Sequence, residues 1–255
     1  MTGRPVAKRL WRGVKRLLLG LVVLLLLYQL WLFGWVLWWG QVNPDHTRFM
    51  SIRLSELRSK DPAAQLSKQW VAYEQISPNL KRAVVAAEDD LFVQHDGFDW
   101  EGIQRAMEKN QRRGRIVAGG STISQQLAKN LFLSPDKTPW RKGQEAVVTL
   151  MLETFWSKRR ILEVYLNVIE WGVGVFGAEA AARRYYGSSA ARLSADQAAR
   201  LAGMVPSPRY TTATATRPAW ANGRRRFASA WRHRRFPDSR RRKRAGSRPI
   251  AGRRC

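Results

Sequence analysis

AVVAAEDDLFVQHDGFDW (83–100) and RKGQEAVVTLMLE (141–153) decide the reading of this chain, because in each a glutamate interrupts an apolar helical row. Leu80, Val84, Ala87 and Leu91 fall at i, i+4, i+7 and i+11, the stripe of a helix with one face in a core. Glu88 lies on the neighbouring row Val84–Glu88–Phe92, at the apolar edge. Desolvation there raises a carboxyl pKa toward neutrality, as a general base requires. Asp89 points about 100° away around the helix, which His95 and Gly97 are expected to end. Glu145 shares a face with Val148 and Leu152, with Arg141 one turn earlier and Lys142 beside it. Pattern alone also allows plainer readings: a polar helix end for Glu88, and for Glu145 a surface ion pair worth about 0–1 kcal/mol. The apolar company of Glu145 favours partial burial.

Between the two lies GGSTISQQLAKN (119–130). Gly119-Gly120 precedes a T-x-x-Q capping box formed by Thr122 and Gln125, so free backbone N–H groups are expected at a helix start, where they suit an anion. Thr122, Gln126 and Lys129 form the polar face; Ile123, Leu127 and Leu131 form the apolar one. Such a face can hold a pyrophosphate, although taken alone it reads more readily as a surface helix with a solvated lysine. G-x-x-x-x-G-K is absent, so this is not a nucleotide-binding loop. Two half-buried carboxylates beside an anion site point to glycosyl chemistry on a phosphate-activated sugar.

The remaining pattern is helical. A short helix is expected near Phe49–Arg58, and Ser77-Pro78, Thr138-Pro139 and Ser194 sit where helices should start. Helices are expected over Trp100–Asn110, from Pro139 to about Trp156, over 158–168 and 177–186, and from Ser194 to near Pro206. QRRGRIVAGG (111–120) reads as a mobile connection. Period-two alternation is scarce, so the domain reads as all-α. In KRRILEVYLNVIEWG (158–172), most residues read as scaffold, with Lys158 and Arg159 as candidate phosphate contacts.

Residues 17–39, LLLGLVVLLLLYQLWLFGWVLWW, carry no charge. They reach about 34 Å as a helix, against a bilayer core of about 30 Å. Trp35, Trp38 and Trp39 form an interfacial belt at one end, and Arg4, Lys8, Arg9, Arg12, Lys15 and Arg16 precede the other. The positive-inside rule then places the N-terminus in the cytoplasm and everything from Gln41 outside it. A cleaved signal peptide would have a shorter apolar core. The organisation expected is a basic cytoplasmic segment (1–16), a membrane anchor (17–39), a juxtamembrane connector (40–66), a catalytic domain (67–210) and a basic tail (211–255).

The net charge of +26 usually suggests nucleic acid. Here the excess sits mostly in the two ends: 211–255 holds 15 Lys/Arg and one acid, and 1–16 holds six Lys/Arg and none. The middle is mildly basic, so no nucleic-acid partner is expected. Cys255 is the single cysteine, which excludes an intrachain disulfide, and three histidines without a Cys/His cluster argue against structural zinc. After Tyr210, Arg, Ala, Ser, Pro and Thr dominate and periodicity vanishes. Such a composition cannot bury enough apolar surface to order itself. It reads as a disordered tail, either a shifted reading of the gene's end or a basic segment lying on anionic lipid.

EDDLFVQHDGF, GGSTISQQLAKN, RKGQE and KRRILEVYLN, in this order and spacing over about residues 40–210, resemble the peptidoglycan glycosyltransferases of family 51. The single span without a transpeptidase domain is similar to the monofunctional biosynthetic peptidoglycan transglycosylases. The resemblance implies a lysozyme-like, all-α glycosyltransferase domain, preceded by one transmembrane helix, in the inner membrane of a Gram-negative bacterium. The implied reaction polymerises lipid II into glycan strands with inversion, releasing undecaprenyl pyrophosphate. By that match Glu88 is the catalytic base and Glu145 the second essential glutamate, near the leaving group or shaping the donor site. Lys129, Arg141 and Lys142 are implied donor-site cations, and Thr122 and Gln126 implied polar cleft positions. Asp89, Phe92, His95, Asn130 and Lys158 complete the implied substrate-binding set. A divalent metal, Mg or Mn, is implied as a possible companion of the pyrophosphate, with no obligatory cofactor and no dedicated metal site. Implied partners are lipid II, the growing glycan strand, the bilayer, and cell-division or other cell-wall synthesis proteins. Two rival readings share part of this pattern: a lytic transglycosylase or lysozyme-like enzyme that cuts the same bond, and a non-enzymatic, membrane-tethered division scaffold.

Overall fold

The computed structural model describes residues 4–115 and 119–208, with side chains from Leu10 onward. The tail 211–255 and the middle of the connection after Arg115 therefore lie outside the described residues. The first helix, α1 (Arg4–Gln41), contains the expected span and is long and apolar enough to cross a membrane. Most of its side chains are exposed, but near its C-terminal end Leu32 and Val36 are fully buried against the domain. The backbone carbonyls closing a helix lack intrahelical partners. Here Arg160 donates to Trp39 O (2.8 Å) and to Val42 O just beyond the helix (2.8 Å), and a turn earlier Trp156 Nε1 adds a second donor to Val36 O at 2.8 Å. Gln29, inside the apolar run, donates to Gln144 Oε1 at 2.8 Å. This gives its amide a partner that hydrocarbon would not supply.

The segment read as a connector contains α2 (Arg48–Arg58), capped by Thr47. It is part of the domain: Phe49 and Met50 lie in the core, and Arg53 Nε sits 3.2 Å from Glu170 Oε2. Next come α3 (Pro78–Glu88), α4 (Trp100–Arg113), α5 (Ile123–Phe132), α6 (Pro139–Phe155), α7 (Lys158–Val168), α8 (Ala178–Tyr186) and α9 (Ala195–Ala202). Asp99, Thr122, Thr138 and Ser194 all accept hydrogen bonds as N-caps, the last three of them and Ser77 at the positions their sequence signals indicated. The final helix ends at Ala202, short of the expected Pro206. A small sheet supplements the helices: β1 (Ser67–Lys68) pairs parallel with β3 (Val175–Phe176), which pairs antiparallel with β2 (Glu170–Gly172). Gly174 turns that hairpin with φ +70°, a conformation that strains other residues.

The core is built where α5 packs on α6 and α7, and α3 on α9. Leu80, Val84, Ile123, Leu127, Val148, Leu152 and Tyr165 are all fully buried there. α3 stops at Glu88, not near His95, because Asp89 leaves the helix at φ −162°, ψ 80°. Its carboxylate turns back and accepts from Ile123 N at 2.9 Å, the first residue of α5. The end of one helix thus caps the start of another, and this fixes Glu88 relative to the polar face of α5.

Candidate active site

Glu88, the last residue of α3, is half-buried. Its Oε2 accepts from Gln126 Nε2 at 2.8 Å, whereas its Oε1 is buried without a hydrogen-bond partner. Burial pushes its carboxyl pKa up, partly offset by the Gln126 hydrogen bond and the Lys129 charge, and reinforced by Asp89. A carboxylate with one oxygen held and the other orphaned is suited to accept a proton from a bound hydroxyl.

Glu145, on α6, is 3% exposed. Both of its oxygens are occupied: Arg141 Nη1 donates to Oε2 and Lys142 Nζ to Oε1. The sequence expectation of burial and two neighbouring cations holds, and the contacts refine its chemistry. A carboxylate so engaged has no free oxygen to take a proton; it gathers cations. Lys129 is half-buried, and its ammonium has no hydrogen-bond partner among the described residues. Burial lowers its pKa, Glu145 raises it, Arg141 and Lys142 lower it, and Glu88 raises it.

Glu88, Lys129 and Glu145 meet in one cavity of about 220 Å³, closed by Ser121, Gln125, Gln126, Val205 and Pro206. A neighbouring cavity of about 350 Å³ shares Gln126 and Lys129 and adds Asn130, Phe49, Arg53 and Glu170. Together they form a polar cleft lined by the proton acceptor Glu88 and by the cations Lys129 and Arg53, with Arg141 and Lys142 behind it on Glu145. This arrangement can deprotonate a hydroxyl and stabilise an anionic leaving group in the same step.

Other sequence candidates are used differently. Three of the N–H groups expected to await an anion at α5 are satisfied within the protein: Ile123 N by Asp89, Thr122 N by Gln125 Oε1 and Gln125 N by Thr122 Oγ1. Thr122 also donates to Gly97 O at 2.7 Å. Thr122 and Asp89 border a cavity of about 180 Å³ on the far side of Glu88, but their polar atoms are already engaged. His95 Nδ1 accepts from Gly97 N (3.1 Å), so its Nε2 carries the proton it gives Asp89 (2.9 Å). Asp89 and His95 therefore brace the site and do not reach into it. Phe92 is fully buried, a core side chain beneath Lys158 Nζ, 4.8 Å from its ring. Lys158 is spent on His95 O (2.6 Å) and Glu153 Oε1 (2.7 Å). Arg159 pairs with Glu74 and lies over Tyr73, away from the cleft. Asn130 lines the larger cavity and donates to Gln126 O at 2.7 Å.

Sequence reasoning missed Tyr165, whose hydroxyl donates to Gln126 Oε1 at 2.9 Å. Its sequence signal, an aromatic in an apolar helix, is indistinguishable from core. It also missed Val205 and Pro206 as cleft walls and the Arg53–Glu170 pair, which only the tertiary fold brings together. Among the described residues, no group of three His, Cys, Asp or Glu side chains could hold a metal ion. Of the carboxylates about the site, Glu145 is neutralised by two cations and Asp89 is held by His95 and α5, which leaves Glu88 alone with an unpartnered oxygen.

The family model described as transglycosylase matches residues 55–230, past the point at Tyr210 where the motif resemblance stops. A protein of Dechloromonas aromatica (strain RCB) named "Biosynthetic peptidoglycan transglycosylase" is 71% identical over 203 residues, covering 80% of this chain and 88% of its own. One of the same name from Azoarcus sp. (strain BH72) is 63% identical over 225 residues, covering 88% of this chain and 97% of its own. A third, from Thiobacillus denitrificans (strain ATCC 25259 / T1), is 61% identical over 203 residues, covering 80% and 88%.

Proposed function

This chain belongs to the transglycosylase family, and we propose that its cleft polymerises lipid II into the glycan strands of peptidoglycan. One observation carries the residue roles: Glu88, with an unpartnered buried oxygen, shares a cavity with Lys129 and with Glu145, which holds Arg141 and Lys142. Glu88 takes the proton of the acceptor 4-hydroxyl as that oxygen attacks the anomeric carbon of the lipid-linked donor. The new glycosidic bond forms on the face opposite the departing diphosphate, so configuration inverts. The electron pair of the broken C–O bond leaves on undecaprenyl pyrophosphate. Lys129, Arg141 and Lys142 stabilise that developing charge in a cleft with little water, where fixed cations act most strongly. Glu145 does not transfer a proton; it holds Arg141 and Lys142 in place.

Among the described residues, no group of three His, Cys, Asp or Glu side chains offers a divalent cation a cage. If one takes part, it rides on the substrate's diphosphate. The anchor α1 holds the cleft at the bilayer surface, where a polyprenyl-linked donor also resides. Six basic residues before Leu17 support an N-terminus in the cytoplasm and a periplasmic domain, in the inner membrane of a Gram-negative bacterium.

The test is incubation of the detergent-solubilised protein with labelled lipid II, followed by lysozyme digestion of the product. The proposal predicts lysozyme-sensitive polymer and released undecaprenyl pyrophosphate. Absence of polymer, with soluble muropeptides released from purified sacculi instead, would establish the cleaving activity and overturn it.

A further inference from the structure

Tyr165 is fully buried on α7, and its hydroxyl ends on the amide of Gln126, a wall of the active site. It donates to Gln126 Oε1 at 2.9 Å, and Gln126 Nε2 donates to Glu88 Oε2 at 2.8 Å. A glutamine amide presents a donor on one side and an acceptor on the other. Which side faces Glu88 therefore depends on what occupies the opposite side. We propose that Tyr165 is a positioning residue for the glycosyl transfer: its O–H locks the Gln126 amide with the N–H₂ toward Glu88, which keeps that carboxylate ionised and aimed. The inference deepens the assignment of Glu88 as base and rests on it.

Burial and the negative charges of Glu88 and Asp89 push the Tyr165 hydroxyl pKa well above its ordinary value. It therefore remains a donor throughout the range in which Glu88 titrates. Without it the amide is free to turn. A carbonyl oxygen facing Glu88 is tolerable only when the carboxyl is protonated, so proton loss from Glu88 is harder. The other charged groups around Glu88 are Asp89 and Asp90 beside it, Asp99 and Arg105 across the cavity of about 180 Å³, Lys129 from α5, and Glu145 from α6 with its partners Arg141 and Lys142. None of them touches Gln126's amide oxygen, so a change made at Tyr165 reaches Glu88 through this one amide.

The experiment is the pH dependence of lipid II turnover at saturating substrate for wild type, Tyr165→Phe, Gln126→Leu and the double variant, with Glu88→Gln as reference. Losing a hydrogen bond to a charged group moves the acid limb of Tyr165→Phe upward by about one pH unit, and rate is recovered on the alkaline side. KM stays at the wild-type value. In the Gln126→Leu background, Tyr165→Phe adds no further shift, because its only route to Glu88 is already cut. The double variant removes both polar partners together, so it tests the idea even where Tyr165→Phe alone folds poorly. An inactive Glu88→Gln alongside an acid limb unmoved in Tyr165→Phe would overturn the lock and leave the base assignment standing. A further shift in the double variant would also overturn it. An active Glu88→Gln would remove the base assignment, and the lock with it.

Discussion

Replacing Glu145 with glutamine separates charge organisation from proton transfer. Glu145 is 3% exposed and neutralises two cations. Removing one partner of a buried pair costs about 3–5 kcal/mol, and the Arg141 side chain, 15% exposed, falls in that class. Lys142, at 49%, is mostly in solvent, so its half is worth about 0–1 kcal/mol. Glutamine keeps one carbonyl oxygen for Arg141, which offsets part of the loss. The net destabilisation is about 2 kcal/mol, or a melting temperature about 4–8 °C lower for a domain of this size. With the two cations no longer held together, donor binding weakens, so KM for lipid II rises and turnover falls. The acid limb of the turnover profile stays where it is in wild type, because Glu88 still sets it. Scanning fluorimetry in detergent micelles and turnover assays against pH measure both. A melting temperature within about 1 °C of wild type would refute the energetic reasoning. Loss of the acid limb would refute the division of labour and make Glu145 the titrating group.

Two further substitutions test the supports of the site. Gly97 has φ +94°, and an added Cβ would lie 2.8 Å from Thr149 Cγ2. Gly97→Ala should therefore lower the melting temperature by about 4 °C or more and reduce turnover, since Gly97 O holds Thr122; an unchanged melting curve would mean this loop does not brace the cleft. Trp156→Phe removes the second donor to Val36 O, which keeps its helical one, at a cost of about 0.5–1.5 kcal/mol. It should speed proteolysis of the Val42–Thr47 link, and cleavage at the wild-type rate would show that α1 is not docked through this bond.

Much of the fold was legible because its signals are local. Ser77-Pro78, Thr122 with Gln125, and Thr138-Pro139 begin helices where their capping chemistry says they should. The two glutamates stood out because each breaks an apolar row, and both carry the expected burial. What sequence could not supply was the partner of each polar group. Asp89 has the composition of a helix residue, but a tertiary contact to Ile123 N ends α3 at Glu88. The same contact fills the helix start that looked ready for an anion. Lys158 and Arg159 looked like free cations because their partners, Glu153, His95 and Glu74, are set by packing. Phe92 sits beside Glu88 in a helical projection, but the chain has left the helix before reaching it, and the ring enters the core.

The central claim is that Glu88 is the base, and turnover of labelled lipid II by Glu88→Gln, measured beside its melting temperature, tests it most directly. Because the folded carboxyl pKa is raised, the stability Glu88 contributes is present below its unfolded pKa and lost as pH rises through the folded one. Glutamine has no charge to desolvate, so at about pH 7 the variant should melt at or above the wild-type temperature. Its polymerisation rate should nevertheless fall about 10²–10⁴-fold. A variant that keeps more than about a tenth of the wild-type rate would contradict the account.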